Sequence, residues 1–315
     1  MRVSMKILFC MLFAIVFDHT TVLGQIFPGL PEPMKLLITG HAQGPKISAD
    51  GKLIAFSREH YNSVEVFDLV TKEQRTICTH LGSGWGMVWL NNETIIARST
   101  QEGVSFRDRK MGLELIDVKT GRESVIIPFA AANRIEVPRK SSSGNVAAWN
   151  SGTMILIDTD KIVKWGDLPA DEAVASSEQG EILMGKESLR APTNRALLSL
   201  VWSPDGSKAL IELLGQPSLY ILDRATQEFQ SVAQRGEHPV WVNNDLYAYM
   251  ETTDDGHDIL TGDIFVASSV DGKRQSLTAQ FDRVALTPTA SVDGTIVFGT
   301  TTGELFIIQL PITKN

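Results

Sequence analysis

Five basic residues recur at a near-constant offset along this chain. His41, Arg134, Arg195, Arg235 and Arg283 each stand ten or eleven places before a turn glycine or the residue that replaces it. One repeat breaks the series, with Gly82 and Ser83 at that place and His80 nearby. A guanidinium presents a planar two-pronged donor set that matches a carboxylate. A basic ring of this kind is expected to receive an anionic group, such as a peptide carboxylate or a uronic acid. The competing reading pairs each arginine with an acidic neighbour, Glu136, Glu237 or Asp282, in a structural role.

Other reactive types carry weaker patterns. Asp254-Asp255-Gly256-His257-Asp258 is the densest acidic cluster, but it lacks EF-hand spacing, since Phe265 stands where the twelfth-position glutamate belongs. No second histidine or cysteine stands at ligand spacing from His257, so no metal is expected there. Ser83 within Leu81-Gly-Ser-Gly-Trp-Gly86 does not fit a nucleophile elbow. Gly40-His-Ala-Gln-Gly-Pro-Lys46 has proline where a phosphate loop needs an N–H. These readings assign no catalytic residue and no cofactor.

The elements that would position these residues follow from a repeating turn grammar. Ser203-Pro204-Asp205-Gly206 separates two apolar runs: proline presets φ, Asp205 bonds its own backbone, and Gly206 takes positive φ. Asp50-Gly51 and Asp293-Gly294 repeat the turn, and Asn92-Glu93, Ser143-Gly144 and Asn244-Asp245 replace it. A second turn follows each third strand, as Asp68-Leu-Val-Thr71, Asp117-Val-Lys-Thr120 and Asp223-Arg-Ala-Thr226. Trp89, Trp202 and Trp241 hold one position, three residues before the turn aspartate or its asparagine equivalent, and are expected to wedge adjacent units.

The unit is strand, Asp-Gly turn, strand, loop, strand, Asp-x-x-Thr turn, strand. Six copies are counted. The third copy is the most worn, with Glu181–Met184 taken as its last strand, a loop over 167–194, and a short helix over 171–177. The sixth copy lacks a fourth strand, which the otherwise unpartnered Met34–Ile38 is expected to supply. Radially repeated four-stranded sheets dispose of exposed sheet edges. The expected fold is therefore all-β, a six-bladed β-propeller closed by an N-terminal strand.

Ile47-Ser-Ala-Asp-Gly-Lys-Leu-Ile-Ala-Phe56 and Trp202-Ser-Pro-Asp-Gly-Ser-Lys-Ala-Leu-Ile211 resemble the repeats of TolB-type, WD-like β-propellers. That family includes a periplasmic envelope-complex component and the propeller domains of prolyl-oligopeptidase-like peptidases. The resemblance implies the propeller alone.

The chain has 315 residues, 43% of them hydrophobic, enough to bury a large core without disulfides. A net charge of −8 and a pI near 5.3 argue against nucleic acid and anionic membranes as partners. Arg2 and Lys6 precede an apolar run, Ile7–Phe17, too short to span a bilayer, and Val22-Leu23-Gly24 follows. Residues 1–24 are therefore read as a secretory signal and 25–315 as the propeller, placing it outside the cytoplasm, periplasmic or secreted. Cys78, alone once Cys10 leaves with the signal, is read as a small buried hydrophobe. The expected function is binding of a protein or peptide, by a monomer with no membrane span after signal removal. The alternatives are a propeller enzyme of lyase or lactonase type, or a sensor of an anionic small molecule or carbohydrate.

Overall fold

The computed structural model describes residues 26–102, 108–158, 162–164, 169, 172–176, 181–185, 187–192 and 195–312. The proposed signal, residues 1–24, lies outside these. Strand β1 (Met34–Lys35) precedes blade 1, which comprises β2 (Gln43–Ile47), β3 (Leu53–Ser57), β4 (Val64–Asp68) and β5 (Gln74–Cys78). Blade 2 holds β6 (Leu81–Asn91), β7 (Thr94–Gln101), β8 (Lys110–Asp117) and β9 (Glu123–Ala130). Blade 3 holds β10 (Arg139–Lys140), β11 (Val146–Asn150), β12 (Thr153–Ile157) and β13 (Ile162–Lys164). Blade 4 shows β14 (Ala173–Ser176), β15 (Glu181–Met184) and β16 (Glu187–Arg190).

Blade 5 holds β17 (Leu197–Trp202), β18 (Lys208–Leu213), β19 (Leu219–Asp223) and β20 (Phe229–Ala233). Blade 6 holds β21 (Glu237–Trp241), β22 (Leu246–Asp254), β23 (Ile259–Ser268) and β24 (Arg274–Ser276). Blade 7 is β25 (Ala285–Ala290), β26 (Thr295–Thr300) and β27 (Leu305–Gln309), completed by β1.

The propeller has seven blades, not six. The stretch read as a loop is itself a blade. Its Ala173–Ser176 is a strand where a helix was expected, and Glu181–Met184 pairs with β14 and β16 instead of closing blade 3, whose outer strand is Ile162–Lys164. The blade escaped the count because its strands run only four residues and carry neither an Asp-Gly nor an Asp-x-x-Thr turn.

Seven hydrophobic clusters match the seven blade interfaces. Ala55, Val66, Met87 and Ile95 join blades 1 and 2, for instance, and Ile54, Phe56, Val297 and Leu305 join blades 7 and 1. Both faces of a middle strand therefore meet apolar neighbours, which is why β3 reads LIAFS and buries all but its first residue. Outer strands such as β9 touch solvent and carry polar residues. The expected closure is present: Met34 pairs with Ile307 and Lys35 with Phe306, antiparallel.

The turn grammar is realised atom by atom. Asp205 Oδ1 accepts from Ser203 Oγ at 2.7 Å and from the Ser207 N–H at 3.0 Å. Asp223 Oδ1 accepts from the N–H groups of Ala225 and Thr226, at 2.9 and 3.0 Å. The tryptophans behave as wedges. Trp89 Nε1 donates to the Lys46 carbonyl and Trp241 Nε1 to that of Val201, both at 2.8 Å and both on the preceding blade. Trp202 is buried in the same register, its Nε1 without a hydrogen-bond partner.

Candidate functional site

An up-and-down blade puts its Asp-Gly and Asp-x-x-Thr turns on one face. The loops between second and third strands, and the segments leading into each blade, emerge on the other. Four large exposed apolar side chains stand at the loop-face ends of their blades. Trp85 is 55% exposed, Leu214 60%, and Ile259 and Leu260, at the end of the long β22–β23 hairpin, 40% and 57%. The Trp85 ring meets Tyr61 edge-on, with centroids 4.8 Å apart. Gly84 makes this possible, since a Cβ there would fall 2.1 Å from Ser57 Oγ. On the opposite face the exposed large apolar residues among those described are single valines in tight turns, Val70, Val270 and Val292.

The five basic residues stand just before the innermost strands, and their partners differ. The Arg283 guanidinium pairs with Glu304, lies 3.7 Å from Asp282 and sits over the Phe306 ring. Arg195 donates to the Pro217 carbonyl at 2.7 Å and to Tyr220 Oη at 2.9 Å. Arg134, exposed, donates to the carbonyls of Ala131 and Asn133 in its own loop. Arg235 is exposed. His41 packs against Gly303 of blade 7, its Nδ1 buried without a hydrogen-bond partner and its carbonyl accepting from Arg58 Nη1 at 3.0 Å. Arg195 and Arg283 therefore brace strands of their own blades.

The central channel is furnished by residues that the sequence reading passed over. Pro45, Pro138, Pro239 and Pro288 occupy one position in blades 1, 3, 6 and 7, each within or beside the innermost strand. Proline suits an edge strand whose N–H has no ladder partner. The residue before it takes positive φ in three of these blades: Gly44 at 59°, His238 at 48° and Thr287 at 48°. Each sits in a register shift of its strand pair.

Lys46 and Arg139 follow equivalent prolines. Lys46 and His238 lie on the innermost strands of blades 1 and 6, and the Lys46 charge reaches His238 across blade 7. Walls of protein around the channel depress the Lys46 pKa, and burial followed by the Lys46 charge lowers His238 to about 4, leaving it neutral at physiological pH. Arg139 donates across blade 4 to the Leu198 carbonyl of blade 5, at 3.1 Å. Glu212, its pKa raised by burial, accepts from Ser199 Oγ and the His238 N–H. The X-Pro recurrence was the available signal for this set.

The acidic cluster is a self-bonded turn. Asp255 Oδ1 accepts from the N–H groups of His257 and Asp258, and these bonds hold its pKa down. Among the described residues, Cys78, His80 and Glu114 alone combine three metal-ligating types, their ligand atoms lying within 4.8 Å of one another. Burial pushes the Cys78 thiol up to about 11. Among the described residues no helix is long and apolar enough to cross a membrane.

No protein-family model matches the chain, and no curated protein matches it in sequence. Solved structures do. A chain of a mitotic checkpoint complex aligns at a TM-score of 0.58 with 12% identity, covering 98% of this chain and 99% of that one. The Cps50 (Swd1) propeller domain of Myceliophteria thermophila aligns at 0.54 and 12%, covering 89% and 99%. Tricorn protease aligns at 0.51 and 13%, covering 86% of this chain and 25% of its own. Similarity at these identities shows the fold and nothing finer: the chain is a β-propeller.

Proposed function

We propose that this chain is an exported interaction module that binds a protein or peptide through its loop face. The observation that carries the reading is the exposure of Trp85, Leu214, Ile259 and Leu260 on that face. Exposed aromatic and large aliphatic residues are the usual anchors of protein interfaces. Arg134 and Arg235, exposed just before the innermost strands on the same face, favour a partner that presents an anionic group. Export rests on the Arg2, Lys6 and Ile7–Phe17 pattern, and kinship with TolB-type repeats on the Asp-Gly turns.

The test is capture from an extracytoplasmic extract with three forms of the chain in parallel. These are the native chain, a Trp85→Ala/Ile259→Ser variant, and an opposite-face control, Val70→Ser/Val270→Ser. A partner retained by the native chain and the control but lost by the loop-face variant supports the proposal. Equal capture by all three overturns it.

A second reading is favoured by Lys46 and Arg139 at the axis: a small anionic ligand held in the channel. Calorimetric titration with uronic acids and short carboxylates tests it. Binding abolished by Lys46→Met is the expected result, and the absence of heat with every ligand would count against it.

A further inference from the structure

Neither the fold nor the proposed binding face accounts for the cluster around His80. Cys78 ends β5 of blade 1, His80 lies in the link to β6, and Glu114 and Glu123 stand on β8 and β9 of blade 2. His80 Nδ1 is 2.8 Å from Glu114 Oε2, and its Nε2 is 3.8 Å from Glu123 Oε2. Cys78 and Glu114 are buried, whereas the His80 and Glu123 side chains keep 35% and 30% exposure, leaving an approach from solvent. Ser83 completes the wall beside the Cys78 thiol. It is fully buried, with its hydroxyl against the Cys78 thiol.

We propose that Cys78, His80 and Glu114 bind a divalent transition-metal cation of the zinc type, joining blade 1 to blade 2. A thiolate, an imidazole and a carboxylate form the donor set of borderline-soft cations, while calcium and magnesium take oxygen alone. Tetrahedral bonds of about 2.0–2.3 Å put donors roughly 3.3–3.8 Å apart, so side-chain shifts of about 1 Å close the cluster on an ion. The two histidine nitrogens divide the work. Nδ1 meets Glu114, and Nε2 faces Glu123, a carboxylate that also lies beside the Cys78 thiol and would fix the ring and its tautomer. As the sulfur–metal bond forms, the thiol proton leaves to solvent. The fourth position falls to water. The rival arrangement is metal-free, with a protonated His80 clamped between Glu114 and Glu123.

The test titrates the full chain with cobalt(II) under reducing conditions, with zinc as competitor. The expected result is one equivalent bound, a thiolate-to-cobalt absorption in the near ultraviolet, tetrahedral bands in the visible, and loss of both on adding zinc. Cys78→Ser should abolish the thiolate band and Cys10→Ser should keep it. Glu123→Gln should weaken binding about 10- to 100-fold with the band intact. Circular dichroism checks each variant's fold. Should Cys78→Ser unfold, His80→Gln carries the same reading through an expected loss of tenfold or more in affinity. Absence of a thiolate band in the native chain, or its survival in Cys78→Ser, would overturn the proposal.

Discussion

Gly206→Ala and Gly144→Ala place the same methyl group in equivalent turns, and the structure sets different penalties for them. Both glycines take positive φ, 68° and 85°, where an L-residue costs about 1–2 kcal/mol. Around Gly144 a new Cβ meets nothing within 4 Å, so that cost is the whole effect. At Gly206 the Cβ would fall 2.2 Å from the Ser142 carbonyl oxygen, on blade 3. That carbonyl cannot swing aside freely, because the Ser142 N–H donates to Ala173, and Ser142 Oγ accepts from the Ala173 N–H. Overpacking against fixed backbone adds about 1–3 kcal/mol, for a total near 2–5 kcal/mol.

Urea unfolding followed by tryptophan fluorescence reads the difference as a midpoint shift at constant m-value. Gly206→Ala should lose two to three times as much stability as Gly144→Ala. Equal losses would refute the blade 3–blade 5 contact.

Three further outcomes follow from the same geometry. Lys35, then Arg283 and Thr302, hold the Glu304 carboxyl down to about 2, against an ordinary 4.5. A depressed folded-state pKa contributes stability that is full above about 4.5 and lost as pH falls toward 2. The stability gap between the native chain and Glu304→Gln should therefore shrink across that window, as measured by urea midpoints at stepped pH. Trp241→Phe keeps the aromatic wedge but deletes the bond to the Val201 carbonyl, and should cost about 1–3 kcal/mol in the same urea assay. Leu36→Ala, in the cluster joining blades 7 and 1, should cost about 2–5 kcal/mol, and hydrogen exchange should then rise at Ile307 and Leu305 before elsewhere.

The turn chemistry was legible because it is local. An Asp-Gly turn with a serine two places before the aspartate carries its own bonds, and six blades show that turn or a recognisable substitute. Closure was legible by elimination, since Met34–Ile38 had no following partner and Leu305–Ile308 lacked an outer neighbour. Blade 4 was not legible, because Ala173–Ser176 and Glu181–Met184 are held by neighbours: Glu172 accepts from Ser142 and Ser143, and Trp149 Nε1 donates to the Ala175 carbonyl. Partnership across blades leaves no local spacing to read.

The basic residues show the same limit. Their offset from the turns was visible, but what each guanidinium faces depends on Glu304 and Tyr220, which come from later in the chain. Cys78 and His80 looked unremarkable because the Glu114 beside them comes from the next blade.

The central claim, a binding surface on the loop face, is tested most directly by hydrogen–deuterium exchange of the chain with and without its captured partner. Protection is predicted at 59–63, 81–86 and 254–260, the segments that carry Tyr61, Trp85 and Ile259. Protection confined to the turns at 68–72, 269–272 and 291–294 would place the interface on the opposite face and contradict the account.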